Sequence, residues 1–496
     1  MSSVNAEIAP NSQHPALLRR KDARSRRRKS QRRLSLQRIP VWLATICYVV
    51  GLIVSLRFVV HPGWEYMGFG WTPWINPLNS AWAIVASILP SAFLPLRFAR
   101  PSHFILWVLY LLVYVPSMVM PVFANGQIDA IPVYQIVLAF SFLLLWAISE
   151  LPALDLRRVT VSPGLFWLGI GLFSGVVYVS VVRFFGVPTS LPSLGDVYSV
   201  RDEFSTDSAR VPVLVSYLLS WQSKIVNPLL IAVGFARRSI LLIAAGGVGQ
   251  VTLYAMTGHK SILFSGLLVM AVLIALAWHG KYMASAASWG AVALVAFCSL
   301  VAAVTGSLTL VTLFVRRLIM LPGLLTGYYI DFFSNNPKSW NLDPVTRWIF
   351  ESPYTERVPR IIGRIYFDSD STSANANLWA DGYAALGLIG VLIVTVVLGA
   401  ILWAFNSLAI ARDKTVASVL AAIPAFSVTN SALFLSIGTH GIGFALVLLW
   451  FLPEVETAGQ KPDAYKAGNA LRRQKSRRRR RQVARSRQPL AQARAK

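Results

Sequence analysis

The sequence predicts an all-α polytopic membrane protein, and two observations carry that prediction. Hydrophobic residues make up 55% of the 496 residues and charged residues only 14%, and the mean hydropathy is +0.56. Apolar stretches of about 20 residues, the length that crosses a bilayer as a helix, recur between residues 41 and 453. A disulfide-stapled secreted fold is excluded, because the chain has two cysteines and both lie inside apolar runs.

Twelve membrane spans are expected from this length criterion. They lie near residues 41–60, 76–96, 104–124, 131–149, 163–184, 211–235, 239–257, 262–279, 287–314, 380–406, 415–434 and 438–453. The last of these stretches is short for a bilayer span. The region from 41 to 453 is therefore expected to be one transmembrane domain.

The basic residues between the spans predict the orientation of the protein. If the N-terminus is cytoplasmic, the even-numbered connections are cytoplasmic, and these hold Arg97, Arg100, Arg157, Arg158, Arg237, Arg238, Lys281, Arg412 and Lys414. This distribution follows the positive-inside rule. An even number of spans also returns the C-terminus to the cytoplasm. We expect a multi-pass protein of the inner (plasma) membrane with both termini cytoplasmic.

Two basic tails account for most of the net charge of the chain. Residues 1–40 carry eleven Lys/Arg and two acidic residues, and residues 454–496 carry fourteen and three, which gives +20 of the net +26. Both tails have few aromatic residues and no apolar periodicity, so we expect them to be disordered. Their expected partner is anionic membrane lipid, at roughly 1 kcal/mol per basic residue near the surface. The alternative is that the tails bind RNA or a protein specifically. Our expectation is lipid, with no nucleic-acid partner.

The predicted orientation places two substantial loops outside the membrane, at about 185–210 and 315–379. They hold most of the acidic residues of the chain. The cytoplasmic connections are short and contain no P-loop and no Gly-rich strand-turn-helix. We therefore expect any chemistry to occur outside the membrane, without ATP hydrolysis by the chain itself.

Two polar features point to an anionic ligand. Tyr198 and Arg201 lie in an outer stretch that mixes both charges, where Arg201 either binds an anionic head group or pairs with a neighbouring acid. Lys224 lies at mid-depth of an otherwise apolar span. A lysine there is expected either to pair internally or to line a wet or phosphate-bearing cavity.

Four further basic residues are candidate phosphate ligands. His259 and Lys260 occupy a tight turn before Ser261, and the N-terminus of the following helix favours an anion. A snorkelling lysine beside a capping serine is the alternative. Arg316 and Arg317 are expected to close the ninth span at the outer boundary, against the positive-inside bias. Their planar guanidinium groups suit a diphosphate.

Aromatic and amide residues in the second outer loop are candidate sugar ligands. Tyr328 follows the paired arginines, and Asn375, Asn377, Asp381 and Tyr383 precede a helix interrupted by glycines. Amides, a carboxylate and aromatic rings suit sugar hydroxyls and ring faces. An interfacial aromatic belt or an amphipathic start to the tenth span is the alternative. His440, a single histidine between glycines, is expected to be structural.

In this order, the stretches Asp196 to Arg201, Gly258 to Ser261, Arg316 to Phe333 and Asn375 to Gly387 resemble the Wzy-type oligosaccharide repeat-unit (O-antigen) polymerases, which are related to the O-antigen ligases. The resemblance covers about residues 190–390. It implies a GT-C-like fold of about 12 transmembrane helices with a large extracytoplasmic loop before span 10. It also implies transfer of a growing glycan from polyprenyl diphosphate onto an incoming lipid-linked repeat unit.

That reaction assigns roles to the candidate residues. Arg201, Lys260, Arg316 and Arg317 would stabilise the negative charge on the leaving diphosphate. Asp381, Asp202 or His259 would act as the base. No cofactor and no metal are expected. A chain-length regulator and a flippase are the protein partners that such a system implies.

Three other functions remain open at this point. An O-antigen-type ligase differs only in its acceptor. A GT-C transferase that uses polyprenyl monophosphate sugars would place acidic catalytic residues in the first outer loop, where residues 61–75 offer only Glu65. A non-enzymatic flippase or transporter of lipid-linked oligosaccharides would carry charges deeper in its spans, and Lys224 is the clear candidate for such a charge.

Overall fold

The computed structural model describes residues 37–72, 76–154, 156, 159, 161–187, 212–258, 260–277, 282–342, 351–410 and 412–453. Throughout this part of the chain the regular structure is helical and no strand occurs. The prediction of an all-helical, polytopic membrane architecture is confirmed, since ten of these helices are long and apolar enough to cross a membrane. Tyr198, Arg201, Asp202, His259 and most of both basic tails lie outside the described residues.

The helices are labelled in chain order. They are α1 Gln37–Met67, α2 Pro77–Ile88, α3 Pro101–Phe123, α4 Ile131–Ser149, α5 Pro163–Phe185, α6 Val213–Arg237, α7 Ile240–Thr257, α8 Lys260–Ala277, α9 Met283–Thr305, α10 Val311–Asn335, α11 Val358–Phe367, α12 Leu378–Ala409, α13 Lys414–Thr429, α14 Leu433–Gly438 and α15 Ile442–Phe451. The ten membrane-length helices are α1, α3 to α7, α9, α10, α12, and α14 with α15 taken as one interrupted helix.

Local sequence signals explain many helix ends. Ser162 caps α5 by accepting a hydrogen bond from the Leu165 amide, and Asp413 caps α13 in the same way. Gly258 ends α7 with a φ of 60°, a left-handed conformation that costs glycine little. Pro90 coincides with the early end of α2, which passes into a 3₁₀ turn over Leu89–Ala92. The expected span at 76–96 is therefore shorter than the sequence indicated.

Basic side chains tie several helices together at one end of the bundle. Arg38 donates to the carbonyls of Ser91 and Leu94, Arg100 donates to those of Ser149 and Leu151, and Lys414 donates to that of Phe98. We call the end that carries Arg38, Arg100 and Lys414 the basic end. The opposite end, where residues 336–377 connect α10 to α12, is called the loop end.

The region around Arg316 differs from the sequence prediction. Helix α9 ends at Thr305, where Gly306 has a φ of 71°, and a new helix, α10, begins at Val311. Arg316 and Arg317 therefore lie inside α10 and do not close the ninth span. The expected outer loop at 315–379 is helical as far as Asn335. The physical reason is that apolar residues at helical spacing continue on both sides of the two arginines.

Helix α10 is long enough to cross a membrane, but its contacts keep it near one end of α1. Leu308, just before α10, packs against Gly63. The Tyr328 hydroxyl, well along α10, fills the space beside Gly68. Because Gly63 and Gly68 are close in sequence, α10 does not run the length of α1. Gly323 lies against the backbone of Pro116, which sets α10 on the second half of α3.

The last two expected spans also have different boundaries. The sequence indicated helices at 415–434 and 438–453. In the structure α13 ends at Thr429, and the following helix is interrupted between Gly438 and Ile442. Gly441 has a φ of 84°, which accounts for the break. This interruption places His440 inside the bundle.

Candidate functional site

A partly open cavity of about 350 Å³ lies between helices of the bundle. Its lining comes from α6, α8, the α13–α14 region, the break before α15 and the segment that precedes α12. The lining residues are Lys224, Ser265, Leu268, Asn375, Ile423, Phe426, Ser427, Asn430, Ser431, Leu435 and His440. The structure therefore brings together two residues that the sequence singled out, Lys224 and Asn375, although they are far apart in the chain.

A π-helical turn in α6 presents Lys224 to the cavity. The turn spans Gln222–Val226 and lies immediately before Asn227 and Pro228. Pro228 has no amide hydrogen and disrupts the regular hydrogen-bond ladder, which gives a local reason for the wider turn. Single π turns within α-helices occur frequently at functional sites. Lys224 lies roughly halfway along α6.

His440 faces Lys224 from the break between α14 and α15. The Lys224 Nζ lies 2.5 Å from His440 Nδ1, and His440 Nε2 lies 3.2 Å from the Ser431 hydroxyl. A side chain at Gly441 would meet Ile225 and Trp221, so the break packs closely on α6. Trp221 also donates to the Gly438 carbonyl at 2.8 Å. These contacts hold the break that carries His440 against α6, next to Lys224.

The geometry fixes the arrangement of protons in this pair. Only one hydrogen fits between Lys224 Nζ and His440 Nδ1, so one nitrogen donates and the other accepts. Lysine is intrinsically the stronger base by about four pKa units. Lys224 is therefore the charged donor and His440 is neutral. The imidazole proton then lies on Nε2, which donates to the Ser431 hydroxyl.

The cavity offers a positive charge and no negative one. None of its lining residues is acidic, and among the described residues no carboxylate forms an ion pair with Lys224. Ser427, Ser431, Asn375 and Asn430 contribute hydroxyl and amide groups. An ammonium group without a counter-ion inside a membrane protein is costly. The cavity is therefore suited to an anion that carries hydroxyl or other polar groups.

A ladder of buried amides supports the π turn from behind. Gln222 donates to the Asn227 side-chain oxygen at 2.9 Å, which also accepts from Tyr178 at 3.3 Å. Asn227 donates to Gln250 at 3.1 Å, and Gln250 donates to Ser265 at 2.5 Å. The ladder links α5, α6, α7 and α8. It holds the π turn that carries Lys224 in a fixed position.

A second cluster lies at the loop end. Tyr328 stacks on Tyr366 with ring centroids 4.2 Å apart, and the Tyr366 hydroxyl donates to the Asp331 carboxylate at 2.6 Å. Burial, followed by the Asp331 carboxylate, raises the pKa of Tyr366, so the hydroxyl keeps its proton. This contact fastens α11 to α10. Tyr328 is therefore packed between α1 and α11.

The two arginines of α10 point in different directions. Arg316 is buried, with its guanidinium 4.9 Å from the Trp64 ring centroid and 3.4 Å from the Met67 sulfur. Arg317 is exposed. Consecutive residues on a helix cannot face the same way. The structure therefore does not bring Arg316 and Arg317 together as one clamp.

The remaining candidates lie near the start of α12 and α8. The Asn377 side-chain oxygen accepts from the Trp379 and Ala380 amides, and its nitrogen donates to Thr326, so its amide serves as a helix cap. Asp381 lies half-buried in the first turn of α12.

Tyr383 is buried, with its ring edge-on to Tyr134 and the Lys338 ammonium 4.2 Å from its ring centroid. Lys260 begins α8, and its side chain lies outside the described residues. The structure therefore does not place Tyr383 in the lining of the cavity.

Sequence reasoning missed the role of His440, together with Asn430 and Ser431. The sequence interpretation took His440 as structural, because a histidine between glycines gives no indication of its partner. A usable signal was present nearby: the polar run from Ser427 to Ser431 interrupts an apolar stretch. Polar residues at membrane depth indicate a functional site.

Comparison with family models, curated proteins and solved structures gives no match to this chain. The assignment of a function therefore depends on the cavity and its chemistry.

Proposed function

We propose that the protein polymerises polyprenyl-diphosphate-linked oligosaccharide repeat units at the extracytoplasmic face of the plasma membrane, with both termini in the cytoplasm. The growing glycan moves from its polyprenyl diphosphate onto the sugar of an incoming lipid-linked repeat. The observation that carries the proposal is the Lys224 ammonium, held by His440 in a cavity without acidic lining residues. The ordered motifs that resemble the O-antigen polymerases supply the substrate class.

The reaction requires a positive charge beside its leaving group. The bond between the anomeric carbon and the diphosphate oxygen breaks, and its electron pair leaves with the diphosphate. The acceptor hydroxyl oxygen bonds to that carbon, and its proton passes to the departing diphosphate. A preorganised cation in a water-poor site stabilises the leaving charge. In this proposal Lys224 has that role.

The remaining lining groups suit the sugars. Asn375 and Asn430 can each donate to and accept from sugar hydroxyls, and the serine hydroxyls of the cavity can do the same. Asn375 lies two residues before Asn377, the cap of α12, so it lies on a segment anchored by that cap. We propose that this segment orients the sugar next to the diphosphate.

A second candidate function is a flippase or transporter of lipid-linked oligosaccharides. One observation favours it: Lys224 lies roughly halfway along α6, where a transported anion would pass. An O-antigen-type ligase would use the same donor and differ only in its acceptor.

Purified protein in detergent distinguishes polymerase from flippase. Incubated with a lipid-linked repeat unit, the wild-type protein is expected to produce a ladder of longer glycans, because detergent removes the need for transport. Lys224→Met should lower the rate by about 10²–10³, the usual cost of losing one preorganised charge contact. No ladder from correctly folded wild-type protein would refute the polymerase proposal and favour transport or ligation.

A further inference from the structure

His440 Nδ1 accepts a hydrogen bond from Lys224 and therefore carries no proton of its own. In the free site His440 Nδ1 accepts from the Lys224 ammonium at 2.5 Å, and its Nε2 proton is directed at Ser431. Two basic groups at this distance cannot both be charged while they face each other, because like charges repel strongly in a poorly screened site. The pair therefore holds one positive charge where two basic groups are present.

A doubly charged anion changes this balance. It attracts the Lys224 ammonium and stabilises a second positive charge beside it. When the ammonium turns towards the anion, His440 Nδ1 loses its donor and becomes free to take a proton. We propose that the Lys224–His440 pair binds a phosphate-class dianion together with one proton.

In the part of the chain that the structure describes, no acidic residue and no further lysine, arginine or histidine lines the cavity. Of the described residues that line the cavity, only Lys224 and His440 have ionisable side chains, and Lys224 already carries its proton in the free site. The other lining elements contribute neutral polar groups, such as Ser265 from α8, Ser427 after α13 and Asn375 before α12. Tyr178 of α5 reaches the site only through its hydrogen bond to Asn227. Proton uptake on anion binding is therefore assigned to His440.

The identification of the natural ligand as a polyprenyl diphosphate ester rests on the proposed function. The coupling of anion binding to proton uptake does not rest on the proposed function, because it applies to any dianion that fits the cavity. A diphosphate diester carries two negative charges, and the pair with its added proton carries two positive charges. The bound site is then electrically neutral, which reduces the cost of burying these charges together.

Proton uptake on anion binding is measured with inorganic sulfate, which stays a dianion across neutral pH. Any proton taken up on sulfate binding therefore belongs to the protein. The dissociation constant of sulfate, measured by titration calorimetry of the purified protein between about pH 6 and pH 8, should rise by up to about tenfold per pH unit. Calorimetry in buffers of different ionisation enthalpy should show uptake of up to about one proton per sulfate.

Three variants and one spectrum make this test specific. His440→Gln should still bind sulfate, with a dissociation constant that no longer depends on pH in this window. Lys224→Met should lose sulfate binding. His61→Gln, which removes a histidine held by the Phe69 carbonyl outside the cavity, should keep the wild-type pH dependence. The ¹⁵N shifts of the His440 ring should change from a neutral to a protonated imidazole when sulfate binds.

Two results would overturn the inference: the same pH dependence in His440→Gln as in the wild type, or no sulfate binding by the wild type. These results are separable from failure of the proposed function. If sulfate binds with proton uptake while the purified protein makes no glycan ladder, the dianion site stands and the polymerase proposal fails. If a Lys224-dependent ladder forms without proton uptake, the polymerase proposal stands and this inference fails.

Discussion

Two histidines, one at the basic end and one in the cavity, have different surroundings. At the basic end, His103 Nε2 lies 2.9 Å from the Glu150 carboxylate, and its Nδ1 lies 2.8 Å from the Arg97 carbonyl. In the cavity, His440 faces the Lys224 ammonium on one side and the Ser431 hydroxyl on the other. His103 lies beside a carboxylate, whereas His440 lies beside a second basic group.

The lysines of the two regions differ in their access to solvent. Lys414 at the basic end is exposed, donates to the Phe98 carbonyl and lies over the Phe98 ring, so its charge remains in contact with solvent. Lys224 has only neutral groups around it among the described residues. A solvated cation that bonds a carbonyl of a neighbouring segment costs little, whereas a cation buried without an anion lowers stability. We infer that the basic end is structural and that the cavity is kept for a ligand.

The largest effect is expected in two matched variants, one of which should lose activity and the other stability. Lys224→Met should reduce glycan polymerisation by about 10²–10³ and leave the melting temperature unchanged or higher, because an uncompensated charge is removed. Lys414→Met should lower the melting temperature and leave activity per folded molecule unchanged. Rates and thermal unfolding are measured on the same purified samples. Equal activity losses in both variants would contradict the division into two regions.

A smaller effect is expected at Asn375, which borders the cavity without carrying charge. Asn375→Ala should weaken substrate binding by about tenfold, the value of one to two lost hydrogen bonds. Maximal turnover should change less, because the Lys224 ammonium remains. Asn336→Ala, which removes an amide bonded to the Phe332 carbonyl outside the cavity, serves as the control. A Michaelis constant for Asn375→Ala equal to that of the control would remove Asn375 from the site.

The smallest expected effect concerns Glu150. The hydrogen bond with His103 lowers the pKa of this carboxyl more than its partial burial raises it, and Arg100 contributes in the same direction. Its contribution to stability is therefore present above the unfolded pKa of about 4.3 and is lost as pH falls through the lower folded value. Glu150→Gln should lower the melting temperature by a few degrees at neutral pH.

The stability difference between the wild type and Glu150→Gln should shrink when the pH falls below about 4. Activity per folded molecule should stay the same at neutral pH. A difference in melting temperature that does not change with pH would show that the carboxylate charge is not what stabilises this end.

Hydropathy predicted most helices well and failed where the chain departs from a simple alternation of spans and loops. The expected span at 131–149 matches α4, and 239–257 differs from α7 by one residue. Helix α10 was missed because paired arginines were taken as the end of a span. In the structure one of them is buried against Trp64, and this contact is between residues distant in sequence.

The candidate site was predicted in part. Lys224 was expected either to pair internally or to line a cavity, and it does both. His440 could not be identified as its partner, because the contact joins residues 216 positions apart and depends on a helix break and a π turn that occur together. Asn377 was a candidate for sugar binding by composition, and its neighbours show that its amide caps α12.

The most direct test of the account is whether a phosphate-class anion stabilises the protein through Lys224. A ligand that binds only the folded state raises the melting temperature. Thermal unfolding of the wild type and of Lys224→Met is measured with increasing inorganic pyrophosphate. The account predicts a concentration-dependent rise in the wild type and no rise in Lys224→Met. An equal rise in both proteins, or none in the wild type, would contradict the assignment of the cavity as the anion site.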